Sequence, residues 1–238
     1  GGILQACQNI ERRTSPERRK NWMVAKDLGL DMEILHQYME ARGIVEFIRG
    51  IREDGERAAN IVADMLAFSR QSESHFAPIK VLAMIETVLR LATKDYDLKK
   101  NYDFRRVVVT QDHEDELMEI PCDKTKIEQV LLNLLKNATQ AMGAQENPSI
   151  FIETRREAEF ARIEVADNGP GMDEETRRRV FEPFFTTKEV GVGTGLGLSV
   201  SYFIITGHHK GTMTVESTPG QGTRFILRLP LRFMGEAE

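Results

Sequence analysis

The chain has 238 residues, 41% hydrophobic and 29% charged, with 32 Lys and Arg against 37 Asp and Glu and a formal net charge of −5. That composition is globular and speaks against disordered, collagenous and membrane-spanning classes, while the acidic balance without a long basic run speaks against a dedicated nucleic-acid binder. Two cysteines, Cys7 and Cys122, lie one in each half; they exclude a disulfide framework or a Cys-x-x-Cys metal site and suit a reducing compartment.

Helices dominate the first third. Ile3, Leu4, Cys7 and Ile10 recur at helical spacing until Thr14-Ser15-Pro16. Ser15 with Pro16 has the form of an N-cap followed by a first helical proline, and Gly29 ends the short helix so begun. Asp31 caps a third helix that stops at Arg42-Gly43. Between Ile44 and Arg70 the residues Ile44, Ile48, Ile51, Gly55, Ala58, Val62, Met65 and Ser69 alternate steps of four and three. Phe47, Ile61 and Phe68 widen the stripe. Such a face on a helix of about 40 Å belongs in a helical bundle. One helix of an intramolecular bundle would explain it. Pairing with a second copy is preferred, because the neighbouring helices are short.

Gln71–Pro78 is a polar break and the expected domain boundary. Beyond it the pattern alternates: a helix over Leu82–Thr93, a strand over Arg106–Thr110, and a long helix from the Asp123 cap to about Met142. Strands over Ser149–Thr154 and Ala161–Asp167 come next, then helices over Glu174–Val180 and Leu196–Thr206. A hairpin of Thr212–Ser217 and Thr223–Leu229 closes around Pro219-Gly220. Helices on one side of a mixed sheet, an α+β two-layer sandwich, is the natural packing.

On the helix from Lys124 to Met142, successive steps of 100° place Asn133, Lys136, Asn137 and Gln140 on one face. Ile127, Val130, Leu131, Leu134, Leu135, Ala138 and Met142 fall on the other. Carboxamide oxygens suit Mg²⁺ and an ammonium suits phosphate, though a solvated polar stripe would look the same. Val165-Ala166-Asp167-Asn168-Gly169-Pro170-Gly171-Met172 ends a strand in Asp followed by two turn-forming glycines. It reads either as a simple β-turn or as a buried carboxylate accepting from an amine such as that of adenine. Gly191-Val192-Gly193-Thr194-Gly195-Leu196-Gly197-Leu198-Ser199 exposes successive N–H groups before a helix, an arrangement built for phosphate. Its spacing is neither the Rossmann nor the Walker pattern. Phe181-Glu182-Pro183-Phe184-Phe185-Thr186-Thr187-Lys188 could anchor one edge of a lid. Gly220-Gln221-Gly222-Thr223 fits a hairpin turn, with Thr223 able to face a phosphate.

In order and spacing these segments resemble the ATP-binding domain of sensor histidine kinases, the Bergerat-type fold shared with gyrase and MutL. The asparagine box is matched by Asn133-Leu134-Leu135-Lys136-Asn137-Ala138. The glycine boxes are matched by Asp167-x-Gly169-x-Gly171, Gly193-x-Gly195-x-Gly197 and Gly220-x-Gly222-Thr223. Phe181-x-Pro183-Phe184 matches the phenylalanine box, and Phe184-Phe185-Thr186-Thr187-Lys188 looks like the nitrogen-regulation subgroup. The resemblance covers roughly Phe76 to Pro230. It implies ATP and Mg²⁺ as ligands, with Asn137 on the metal, Asn133 and Lys136 on the phosphates, and Asp167 on the adenine amine. Gly169, Gly171 and Met172 would shape the base pocket. Thr186, Thr187 and Lys188 would sit in the lid. Gly193, Thr194, Gly195, Leu196, Gly197 and Leu198 would close over the phosphates, and Thr223 would lie beneath the adenine region.

The resemblance further implies a cytoplasmic kinase core in two parts. Residues 1–72 would be a truncated dimerisation bundle of four helices, with a helical insertion at 16–42 to which no role is assigned, and 76–232 the catalytic domain. The partners implied are a second copy and a response-regulator receiver domain, with a membrane reached only through absent upstream segments. Two features bear on the chemistry. Hydrolytic members carry a Glu four residues before the metal Asn; here that residue is Asn133, so transfer to a nucleophile is favoured over hydrolysis. The family's acceptor box is His-Glu-x-x-Asn-Pro-Leu, and none of His36, His75, His113, His208 and His209 has that context. Gly1-Gly2-Ile3-Leu4-Gln5 resembles the stretch immediately C-terminal to that box, so the acceptor is expected just upstream and the fragment is expected not to label itself. A Bergerat-type ATPase and a non-catalytic dimeric adaptor are the alternatives.

Overall fold

The structure is a computed structural model that describes residues 2–69, 76–94, 96–97, 102–114, 118–143, 145–188 and 193–232, of which the side chains of 57, 60–69, 96–97 and 102 are left undescribed. It forms two compact units, Gly1–Leu66 and Ala67–Glu238. Gln71–His75, in the expected break, and Gly191 and Val192, before the second glycine box, lie outside the described residues. Among the described residues no helix is long and apolar enough to cross a membrane.

The first unit is helical: α1 (Gly2–Thr14), α2 (Arg19–Asp27), α3 (Met32–Ala41) and the first part of α4 (Ile44–Ser69). Asp31 caps α3 by accepting from the N–H groups of Glu33 and Ile34, as expected of an N-cap aspartate. Gly29 and Gly43 take positive φ at the ends of α2 and α3. The proposed Ser15 cap fails. Ser15 Oγ accepts from Glu17 N at 3.3 Å instead, and α2 begins only after Arg18. A local side-chain turn has won over helix initiation. Cys7, Met39 and Ile48 form the buried cluster, flanked by Leu35, Ile44 and Val45. Thus α1 and α3 do cover one end of the α4 stripe, while Phe47 and Ile51 stay exposed on it. Gly55 lets α1 come close: a Cβ there would stand 3.1 Å from Leu4 Cδ2.

The second unit is the expected α+β sandwich. Strands β4 (Val108–His113), β6 (Ser149–Glu157), β7 (Phe160–Asp167), β9 (Thr223–Pro230) and β8 (Thr212–Ser217) form a five-stranded sheet in the order β4-β6-β7-β9-β8. Only β4–β6 is parallel. Helices α5 (Val81–Lys94) and α6 (Lys124–Ala141) supply its layer. Met84, Ile85 and Val88 of α5 and Ile127, Leu131, Leu134 and Leu135 of α6 are buried with Ile150, Ile152, Ile163, Val165 and Leu227 of the sheet. These sheet residues sit at alternate positions, so the other face carries the intervening side chains. That face is an ion-pair ladder of Glu153, Arg155, Arg162, Glu164 and Arg224.

Several boundaries differ from expectation. Ala77 and Pro78 lie in β1 (Ala77–Lys80), which pairs antiparallel with β5 (Glu119–Cys122) in a small separate sheet. The pair β2 (Tyr96–Asp97) and β3 (Tyr102–Asp103) is another. Arg106 closes a 3₁₀ turn, Phe104–Arg106, so β4 starts two residues late and runs on to His113. The short helix α7 (Glu174–Arg179) is capped by Asp173. Helix α8 spans only Gly197–Phe203 before a π turn at Ile204–His208.

His209 closes that π turn. Its Nδ1 lies 2.8 Å from Ile204 O, and its Nε2 accepts from Asp123 N at 3.1 Å. Those partners require the neutral tautomer with the proton on Nδ1. Phe76 packs on the ring at 5.0 Å. Burial pushes the pKa of His209 down, and burial with the nearby Lys126 does the same to His208. The unfolded chain therefore takes up protons first, and stability falls as pH drops below about 6.5. Thermal unfolding from pH 7.5 to 5.5 should show a falling Tm, and His209→Gln should flatten the fall.

Candidate functional site

The polar face of α6 forms as the 100° steps require. Asn133, Lys136, Asn137 and Gln140 are half-buried, between fully buried neighbours on the core side. Asp123 accepts from Lys126 N to start the helix. Thr139 turns its hydroxyl back to Leu135 O at 2.8 Å, which satisfies it inside the core.

Two glycines set how near the α8 end and the β7 turn approach this face. A Cβ on Gly197 would stand 2.5 Å from Asn133 Oδ1. Asn133 Nδ2 donates to Ser201 Oγ at 3.0 Å, and Ser201 Oγ donates to Gly197 O at 2.9 Å. Asn133 thus fastens the second glycine box to α6. Across the site, a Cβ on Gly169 would stand 2.7 Å from Asp167 Oδ1 and 3.4 Å from Met142.

Asp167 ends β7 and pairs with Thr223 of β9. Its Oδ1 accepts from Gly169 N at 2.8 Å. Burial pushes its pKa up, and the backbone N–H groups of Gly169 and Thr223 pull the other way. A half-buried carboxylate so placed still has lone pairs to offer a donor. Ser217 braces the base of the pocket: it accepts from Met172 N at 2.8 Å, donates to Gly222 O at 2.8 Å and lies 3.1 Å from Thr223 Oγ1. Gly171 and Gly222 both have positive φ, and a Cβ at either would stand about 2 Å from a backbone oxygen, that of Thr218 or of Asp167. Only glycine fits there.

The phenylalanine box is joined to the second glycine box. Phe184, at φ 66°, donates from its N–H to Gly195 O at 2.9 Å. Phe181 packs between Tyr202 and Phe225, and Arg179 lies over the Phe185 ring at 4.4 Å. These contacts aim the following segment back across α6. Lys188 N–H bonds Thr186 Oγ1 at 3.1 Å. Lys188 Nζ donates to Asn137 Oδ1 at 3.3 Å and to Gln140 Oε1. Burial lowers the lysine pKa, and the charge of Lys136 adds to the effect. Thr194 Oγ1 takes Leu196 N–H at 3.3 Å at the start of α8, Leu196 is buried, and Leu198 lies in its first turn.

Each end of the arrangement suits one part of a nucleotide. A half-buried acceptor at Asp167 offers a bond to an exocyclic amine. The hard oxygen of Asn137, already against an ammonium, suits a divalent ion that takes its other ligands from phosphate and water. The positions of Gly193, Gly195 and Gly197 keep side chains out of the space beside Thr186 and Lys188, beside Phe184 and beside Asn133 respectively.

Residues 122–233 match the family of histidine kinase-, DNA gyrase B-, and HSP90-like ATPases. The chain is 37% identical over 202 residues, 77% of its length, to sensor kinase CckA of Brucella abortus (strain 2308). It is 30% identical over 245 residues, 98% of its length, to the signal transduction histidine-protein kinase AtoS of Escherichia coli (strain K12). The solved catalytic domain of histidine kinase ThkA is 33% identical and superposes with a TM-score of 0.55, over 66% of this chain and 95% of that one. The chain belongs to the sensor histidine kinase family. It spans 20% of the Brucella protein and 39% of the E. coli protein. A larger ThkA structure, solved in complex with response regulator protein TrrA, is 24% identical over 98% of this chain and 67% of that one with a TM-score of 0.62, and shows the likeness of fold.

Three residues of this arrangement escape the family boxes. Gln140 had a signal, its place on the polar face of α6, but lies beyond the asparagine box. Ser201 sits one turn after Gly197, and Ser217 carried no signal at all. The described histidines stand elsewhere. His36 pairs with Glu40 at 3.4 Å, His113 bonds Thr154 at 2.9 Å, and His208 lies 3.2 Å from Lys126 Nζ.

Proposed function

We propose that the chain is the kinase core of a two-component sensor kinase, which binds Mg-ATP and transfers the γ-phosphoryl group to a histidine for relay to a response regulator. The observation that carries this reading is the Lys188 ammonium held on Asn137 of α6, with the Asp167–Gly169 turn packed against Met142 just past the end of the same helix. Asp167 would accept from the adenine amine, with Gly169, Gly171, Met172 and Thr223 around the base. Lys136 and Lys188 would meet the phosphates, and Asn137 would hold the magnesium ion. That ion would neutralise charge on the phosphate oxygens. Asn133, spent on Ser201, positions the glycine box rather than acting as a base. With no base on that face to activate water, the P–O bond to the leaving diphosphate breaks as a P–N bond to imidazole forms, and the imidazole proton leaves to solvent.

The exposed Phe47 and Ile51 on α4 support a homodimer through that helix. The TrrA complex of ThkA supports a receiver domain as the phosphoryl acceptor. The free, buried Cys7 and Cys122 suit the reducing cytoplasm. Among the described histidines, His36 pairs with Glu40, His113 bonds Thr154, and His208 and His209 are held at the π turn, which supports an acceptor histidine in a His-Glu-x-x-Asn-Pro-Leu segment of a longer protein. The chain is expected to bind Mg-AMPPNP and to release negligible phosphate from ATP. A longer protein that includes an upstream His-Glu-x-x-Asn-Pro-Leu segment should form acid-labile, alkali-stable phosphate. Sustained phosphate release, or a longer protein that does not label, would overturn the proposal.

A further inference from the structure

We propose that Gln140 is a positioning residue for the phosphate end of the site: its side-chain oxygen holds the Lys188 ammonium beside Asn137, so that the cation is in place before the nucleotide arrives. This rests on the nucleotide reading of the site and deepens it.

Gln140 follows Asn137 by three residues on α6, so both carboxamide oxygens project from one face. Lys188 reaches that face from 48 residues away in sequence. Its Nζ donates to both oxygens. A lysine stem has four rotatable carbons and about 2 kcal/mol of rotamer entropy, so an unheld ammonium would sample many positions. Two acceptors on a rigid helix remove that freedom before binding, which lowers the cost at the moment of binding.

The residue type matters as much as the contact. A carboxamide oxygen holds an ammonium without neutralising it, and the positive charge stays available to phosphate. A carboxylate at the same place would hold the lysine and cancel its charge. A side chain without an oxygen would leave the lysine loose. Asn137 cannot do both tasks alone, because its single side-chain oxygen is the one assigned to the metal.

The test uses this chain with four variants and two ligands, AMP and Mg-AMPPNP. Lysine acetylation followed by mass spectrometry reads the placement of Lys188 without any ligand. Gln140→Met should raise the acetylation rate of Lys188 several-fold, lower affinity for Mg-AMPPNP about tenfold and leave AMP affinity unchanged. Gln140→Glu should keep Lys188 protected yet still weaken Mg-AMPPNP, a split that a merely structural role would not produce. Adding Gln140→Met to Lys188→Met should cost nothing further. The inference is overturned if Gln140→Met leaves Mg-AMPPNP affinity within twofold, weakens AMP equally, or adds its full loss to that of Lys188→Met. A wild-type chain that binds neither ligand overturns the nucleotide reading and this inference together. That outcome differs from failure of the inference alone, in which the wild type binds and the variants match it.

Discussion

Replacing Asp167 by Asn is expected to lower affinity for Mg-AMPPNP about 100-fold while leaving the ligand-free protein at least as stable. The carboxylate is half-buried at the end of β7, with Oδ1 receiving Gly169 N–H. An asparagine keeps that bond through its own oxygen but turns an NH₂ group toward the pocket. Donor then faces the donor amine of adenine, and both are buried without a partner. Losing a hydrogen bond to a charged group is worth about 3 kcal/mol at the upper end, which is roughly 100-fold. Stability runs the other way. Burial raises the carboxyl pKa in the native state, so at neutral pH the ionised form is held at a cost that disappears as pH falls toward 3.8. The Asn variant carries no such cost. Calorimetric titration and thermal unfolding together check this; an affinity within fivefold of wild type would remove Asp167 from base recognition.

The pattern of success and failure in reading the chain comes from range. Helix α6 was legible because its apolar period, its Asp123 cap and its polar face all lie within 20 residues. The tight turns at Gly171 and Gly222 were legible for a similar reason, since a glycine needed by positive φ shows in the local sequence. Strands β1 and β5 were hidden because each is four residues long and carries a proline, Pro78 opposite Pro121, and short proline-bearing runs read as breaks. The false start at Ser15 had the right residues, but a serine at the foot of a helix can bond either its third or its second neighbour, and nothing local decides. Within the site, Asn137 and Asp167 stood out through their boxes. The bonds that make them a site, Lys188 to Gln140 and Asn133 to Ser201, join residues 48 and 68 apart. No periodicity encodes such pairings; the sheet and the phenylalanine packing create them.

Arg162→Met should produce the largest loss of stability away from the site, about 4 kcal/mol. On the outer sheet face Glu153 of β6 stands directly opposite Glu164 of β7. Like charges across strands destabilise a sheet, and Glu164 is only 3% exposed. Arg162 resolves the conflict by donating to both carboxylates, and Arg224 adds a contact of 2.6 Å to Glu164. Methionine retains the apolar stem but leaves the two acids facing each other, with only Arg224 on one and Arg155, at 3.1 Å, on the other. Removing one member of a buried ion-pair set costs about 3–5 kcal/mol. A second change, Glu164→Leu, should recover much of the loss, since an apolar pair of similar volume needs no counter-charge. Urea unfolding of the single and double variants gives both numbers. A loss below about 1 kcal/mol for Arg162→Met would show that the ladder is a solvated surface without structural weight.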